Sequence, residues 1–358
     1  MSLSSTPVSV IIRTKDRSDY LALAVQSVLQ QTYRPLELVV INDGGCDVHP
    51  VLHDLLDTEQ HIELRYVHHN SSVGRANAAN SGLQHATSPW SMFLDDDDYL
   101  DPQHIELLVT RRSELNLAVD DLAVTHSQAR AVHIEGVNGA EQCLSIHGAQ
   151  LEQHQLFYQN QLPILTVLLP TRVREMGIAF DADFDLFEDW DFWLQVYTVC
   201  HFEFIEQVTC AYRIHQQGSG VRDRSQQQCA FRQVYEKWLP KLSLPALYSL
   251  LAKSHEWQDN AIGALQQQNQ ASLNHIGALH SHALQVIDSK DKDIAHLTTI
   301  YQKMEQDLQA VQAQKLALEH TLNDYQKDHR IVLRTSLFYL LKSAYKYSKA
   351  ILRKLVAR

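Results

Sequence analysis

The stretch VSVIIRTKDRSDYLALAVQSVLQQTYRPLELVVINDGG, residues Val8 to Gly45, decides the fold. VSVII, from Val8 to Ile12, is a continuous apolar, β-branched run, the pattern of a strand buried on both faces of a parallel sheet. In the next segment Leu21, Ala24, Val25, Val28 and Leu29 recur at helical spacing. LELVVI, from Leu36 to Ile41, is a second strand, and NDGG stops it. Outward from there, IELRYVHH predicts a third strand, VGRANAANSGLQHA a helix of small residues, and WSMFL a fourth strand. This alternation predicts a βαβ layout with a parallel sheet, of the kind that binds nucleotides. Ligands of such sheets lie beyond the carboxyl ends of the strands, where NDGG and the run Asp95 to Asp98 both fall.

Further along, LAVTHSQARAVHI predicts a strand, LFEDWDFWLQVYTV an amphipathic helix, and FEFIEQVTCAYRIH a pair of strands. Pro245 is the last proline and Gly277 the last glycine, so the chain beyond can stay helical for a long way. Counted in heptads from Leu273, the a and d positions between Ile294 and Tyr325 are apolar except Lys315. That favours a coiled coil over the alternative of one long helix folded back on the body. The expected organisation is a domain over 1–245 (a nucleotide-binding half 1–102 and an acceptor half 103–245), a helical coiled-coil region 246–329, and a basic amphipathic helix 330–358.

The chain has 358 residues and a formal net charge of -11, unevenly spread. Eight of its 31 Lys and Arg lie from Arg330 onward, where there is no Asp or Glu, leaving 23 basic against 42 acidic residues before it. The tail therefore has a different job from the body. Its Lys342, Lys346, Lys349 and Arg353 form one stripe of a helix opposite Leu337, Leu340 and Leu355, which suits an anionic membrane surface; the alternative is a helix that packs in an oligomer. The acidic body argues against a nucleic-acid partner. Cys46, Cys143, Cys200, Cys210 and Cys229 are odd in number and form no CxxC pair, which argues against a disulfide framework and a structural zinc site and makes a reducing cytosol the default. MSLSSTPVSV lacks the layout of an export signal, and no apolar run approaches the roughly 18–20 residues of a membrane span.

MFLDDDDYLDP, Met92 to Pro102, sets four adjacent carboxylates at the end of an apolar run. Asp95 and Asp97, one residue apart, would point the same way on extended chain and suit a hard divalent cation that also holds a phosphate. The other reading is a solvated acidic turn that caps a helix near Asp101-Pro102.

VSVIIRTKDR, SVLQQTY, LELVVINDGG, VGRANAANSGL, FLDDDDYLDP, GIAFDADFDLFEDWDFWL and YRIHQQGSG occur in this order. Together they make the chain resemble the inverting family-two nucleotide-sugar glycosyltransferases of GT-A fold, of the bacterial polysaccharide and O-antigen type. The resemblance covers roughly residues 7 to 220. It implies a GT-A domain with a Rossmann-like sheet and an acceptor subdomain, here followed by helical segments. It implies that Asp43 contacts the nucleotide base, that Thr14, Arg17, Asp95 and Asp96 hold the nucleotide sugar, and that Asp97 binds Mn2+ or Mg2+ with His215 nearby. Arg75 fits the base or diphosphate, or equally a surface salt bridge. Asp189 of the Glu-Asp pair is the implied base, with Glu188 beside it raising its pKa. Trp190 stacks on a sugar or packs the helix, Trp193 packs, and Asp191 reads as a helix-surface charge. Two departures stand out: Arg13 where the family often has Pro, and NDGG for DDGS. They leave the base open, with UDP-sugars as the default and dTDP- and GDP-sugars as alternatives.

The expected activity is metal-dependent sugar transfer to a glycan or lipid-linked glycan, in the cytoplasm on the inner face of the cell membrane, by a homo-oligomer. The alternative is a catalytically silent scaffold that organises other enzymes through its coiled coil. A phosphatase reading is weaker, because DDDDYL lacks a small hydroxyl residue after the nucleophile.

Overall fold

The four segments read as strands in the first hundred residues all form strands. The structure is a computed structural model and describes residues 6–57, 61–137, 139–214, 224–289, 302–324 and 327. Strands β1 (Val8–Thr14), β2 (Leu36–Asn42), β3 (Ile62–His68) and β4 (Trp90–Asp95) pair in parallel in the order β3-β2-β1-β4. Every residue of β1 and β2 is buried. This is why their sequences lack the polar-apolar alternation of a half-exposed strand. The helices α1 (Ser18–Leu29), α2 (His49–Leu56) and α3 (Arg75–His85) connect them. Leu21, Ala24, Val25 and Val28 of α1 are fully buried. Each such aliphatic side chain larger than Ala contributes roughly 1.5–3 kcal/mol by leaving water.

The small residues of α3 have a packing reason. A Cβ at Gly82 would lie 2.2 Å from Ile11 Cγ2, so the helix sits against β1 at a distance only glycine allows. At the end of β2, Gly44 turns with φ +76°, and a Cβ there would lie 2.4 Å from Ser72 N.

After β4 the sheet changes direction. Strands β5 (Tyr99–Leu100), β6 (Ala123–Ile134), β7 (Glu141–His147), β8 (Val167–Pro170) and β9 (His201–Arg213) follow, with α4 (His104–Glu114) and α5 (Glu188–Tyr197) among them. β8 runs antiparallel to both β4 and β6, and β9 is parallel to β6. The strand pair expected over Phe202 to His215 is instead one continuous strand, β9. The run contains no Gly, Pro, Asn or Asp on which to turn, and register shifts against β6 around Gln128 absorb the irregularity.

The chain divides into two compact units, residues 1–236 and 237–358. The boundary falls in the last turn of helix α6 (Arg224–Trp238), and the second unit contains α7 (Leu244–Ser289), whose 46 residues extend about 69 Å. Residues 302–324 are also helical. Of the heptad positions, Leu273 and Leu308 are 36% and 37% exposed. Ile294, Tyr301 and Tyr325, and the whole basic stretch 330–358, lie outside the described residues. No described helix is long and apolar enough to cross a membrane.

Candidate active site

The four consecutive aspartates meet different donors, except that Asp96 and Asp97 share Arg17. β4 ends at Asp95 and the chain then turns, with the Asp98 N–H donating to the Asp95 carbonyl at 3.1 Å. The extended-chain alternation expected to aim Asp95 and Asp97 together therefore stops, and the two carboxylates meet different cations. Arg13 of β1, whose register places it opposite Asp95, donates Nη2 and Nε to Asp95 Oδ1 at 2.6 and 3.1 Å. Arg17 Nη1 bridges Asp96 Oδ1 at 3.1 Å and Asp97 Oδ2 at 2.8 Å. Thr14 Oγ1 donates to Asp96 Oδ2 at 2.7 Å, and the Arg213 N–H donates to Asp98 Oδ1 at 2.9 Å.

These environments sort the four groups. Burial works to raise Asp95, but the charges of Arg13 and Arg75 outweigh it and hold the carboxyl below its usual range. Burial pushes Asp96 up to about 7, with Asp97 and Asp95 adding to it and Thr14 and Arg17 opposing. Asp98 is raised well above its usual value by burial first and then by the three neighbouring carboxylates.

The Glu-Asp pair begins α5, just after Phe187, whose φ of 64° lies in the left-handed region. Glu188 is buried, and its Oε1 takes Arg75 Nε at 2.6 Å and Arg13 Nη1 at 3.5 Å. Arg13 Nη1 also donates to the Arg75 carbonyl at 3.1 Å. Arg75 is thus paired with a buried carboxylate. Arg13, the departure at the end of the first strand, is an 8%-exposed cation joining β1, the end of β4, the start of α3 and the start of α5. Burial works to lower its pKa, and the charges of Asp95 and Glu188 outweigh that.

Asp189 stands partly buried beside this group. Its Oδ2 accepts from Asn160 Nδ2 at 3.0 Å and its Oδ1 from the Trp190 N–H at 2.8 Å. Burial, and then the charge of Glu188, push Asp189 up to about 6. The two tryptophans of the motif are fully buried, and their indole N–H groups donate to the Leu156 and Leu162 carbonyls at 2.6 and 3.1 Å. Both pack the helix, and Trp190 offers no face to a sugar. Asp191, expected as a helix-surface charge, is buried and accepts from Gln195 Nε2 at 2.8 Å. α5 is covered on nearly all sides, so a polar residue on it does not mark a solvated face.

Asp43 lies at the carboxyl end of β2 with four donors around it. Val73 N–H at 2.7 Å and His69 Nδ1 at 3.5 Å approach Oδ1; Ser72 Oγ at 2.7 Å and Gly74 N–H at 3.1 Å approach Oδ2. Its first visible task is to pin the loop that leads into α3. Burial opposes ionisation there, but these donors win and hold the carboxyl below its usual range.

A cavity of about 500 Å³ opens between the two carboxylate groups, lined among others by Asp95, Asp98, His147, Asn160, Asp189 and Tyr212. Sequence reasoning missed Arg13, Asn160, His147 and Tyr212 as members of this region. His215 lies outside the described residues. Among the described residues, no three His, Cys, Asp or Glu side chains come together as a metal cage. Asp97 still offers a hard oxygen donor, paired here with an Arg17 side chain that is 42% exposed.

Residues 9–162 match the family described as "Glycosyl transferase family 2". The uncharacterized glycosyltransferase YwdF of Bacillus subtilis is 30% identical over 192 residues, which cover 52% of this chain and 67% of that protein. An uncharacterized glycosyltransferase of Haemophilus influenzae is 27% identical over 241 residues, 62% of this chain and 70% of its own. The solved structure of the mannosyltransferase PcManGT from Pyrobaculum calidifontis, in complex with GDP-Man and Mn2+, aligns at a TM-score of 0.52 and 15% identity over 87% of each chain. That likeness is one of fold: a GT-A sheet with its helices, followed in this chain by a long helical part.

Proposed function

Since this chain belongs to glycosyl transferase family 2, we propose that it moves a sugar from a nucleotide-diphosphate donor to a hydroxyl of a glycan acceptor, with inversion. A UDP-sugar is the default donor. The observation that carries this reading is the place of Asp189. It lies on the wall of a cavity that Asp95 and Asp98 also line, beyond the carboxyl end of β4. Inversion needs one base to take the acceptor hydroxyl's proton as its oxygen attacks the anomeric carbon. Asp189 has that role. Glu188 is engaged by two guanidinium groups and serves to hold Arg13 and Arg75 in place. Thr14, Arg17 and Asp96 form the nucleotide-facing edge with Asp95. At Asp43, the His69 contact at 3.5 Å is the weakest of four and is the one a base imide N–H would replace.

Asp97 would hold a divalent cation, Mn2+ or Mg2+, together with the diphosphate and water, with His215 as a further ligand. Bound there, the cation supplies positive charge to the departing diphosphate. The test is calorimetric titration with UDP-sugars and with free uridine, with Mn2+ or with excess chelator. Donor affinity should fall at least about tenfold in chelator and in Asp97→Ala, since a diphosphate loses a charge-assisted contact, while uridine binding changes little. Equal donor affinity in all three conditions would remove the metal from this scheme.

We further propose that the enzyme acts in bacterial surface-polysaccharide synthesis on a lipid-linked acceptor. Its helical region would join copies into a homo-oligomer, and the basic stripe of the tail would rest on an anionic membrane. The heptads and the charge asymmetry support this reading. Light scattering should give a larger oligomer for the full chain than for one ending at Trp238, and only the full chain should sediment with anionic vesicles at low salt. Identical oligomers and no sedimentation would reject both parts.

A further inference from the structure

The proposed base is held from a second segment. Besides donating to Asp189 Oδ2 at 3.0 Å, Asn160 accepts the Leu162 N–H on its Oδ1, also at 3.0 Å. A backbone donor on Oδ1 determines which end of the amide is which, so the NH2 end turns to the carboxylate. The segment bearing Asn160 is itself tied to α5. Trp190 reaches the Leu156 carbonyl and Trp193 the Leu162 carbonyl, on either side of Asn160. Both indoles are fully buried, so these ties are shielded from competing water. The same helix turn therefore carries the carboxylate and grips the loop that steadies it.

We propose that Asn160 is the positioning residue of Asp189, its amide fixing the carboxylate orientation that leaves a lone pair directed at the acceptor hydroxyl. This rests on the reading of Asp189 as the base. A donor to the ionised form also favours that form. The other charged or titratable groups around Asp189 are Glu188 beside it on α5, Arg75 from α3 and Arg13 from β1. Asp95, Asp98, His147 and Tyr212 share its cavity. All of them remain when Asn160 is replaced, so a change in Asp189 reports on the amide.

The experiment is a carboxyl-carbon NMR titration of the full chain labelled at Asp, with Asp189 identified as the signal missing from Asp189→Asn. In Asn160→Ala the Asp189 midpoint should rise by about half to one pH unit, because a hydrogen bond to the charged form is lost. In Asn160→Asp it should rise further, because a like charge replaces a donor. Transfer assays provide a second reading. For Asn160→Ala, kcat should fall on the order of tenfold, more at pH 6 than at pH 8, with the donor KM unchanged. An unmoved midpoint, or a loss equal at every pH, overturns the proposal. Wild-type transfer by Asp189→Asn would instead overturn the base reading on which it rests, so the two failures are distinct.

Discussion

Transfer by Asp189→Asn is expected to fall by about 10²–10⁴-fold, the usual cost of removing a general base, while nucleotide affinity stays near that of the wild type. The substitution keeps the shape of the side chain and removes its ability to accept a proton. It leaves the donor edge untouched, because Thr14, Arg17 and Asp96 bond to one another and not to Asp189. The pH profile adds a second check. Burial and the charge of Glu188 push Asp189 up to about 6, and only the ionised form can take a proton. The wild-type rate should climb as pH rises through about 6 and level off above it. The residual activity of the variant should lack that climb. Near-normal turnover in Asp189→Asn would remove it from the mechanism.

The second large effect is on stability. Arg13→Met leaves Asp95 without the guanidinium on its Oδ1 and leaves buried Glu188 with Arg75 alone. Breaking a buried ion pair from one side costs about 3–5 kcal/mol. The lower end applies here, about 3 kcal/mol, because Glu188 keeps one partner and Asp95 is partly exposed. Urea unfolding at neutral pH reads this as a lower midpoint. Arg13→Met combined with Asp95→Asn should recover part of the loss, since the stranded charge is gone. A single variant as stable as the wild type would show that the network contributes nothing net.

The layered half of the fold was legible because its signals are local. The apolar runs of β1, β2 and β4 and the helical spacing of α1 are each written within a few consecutive residues. A helix over LFEDWDFWLQVYTV was equally legible from its apolar spacing, and α5 begins within that stretch, at Glu188. The lateral contacts were not. Arg13 meets Asp95 across 82 residues and Glu188 across 175, and no periodicity encodes such a meeting. Asn160 sits in a loop with no repeating pattern, and its role depends on two tryptophans about thirty residues away, of which Trp193 reads as core and Trp190 as either core or a sugar platform. Asp191 misled because charge predicts solvent only where a helix has a solvent face, and α5 has almost none. The turn after Asp95 is one of two readings of the aspartate run, and a run of identical carboxylates carries no clue that decides between a turn and continued strand.

Arg13 also bears on how this sequence can drift. Positions 13, 95 and 188 are far apart in the chain, yet a substitution at one changes what a substitution at the others costs. A lineage that first neutralises position 95 can then lose the cation at 13, because Glu188 retains Arg75. The reverse order passes through an intermediate with Asp95 stripped of its guanidinium partner. As long as the aspartate run keeps its first member, losing the cation at 13 strands a carboxylate, so the order of the two substitutions decides which intermediate is stable.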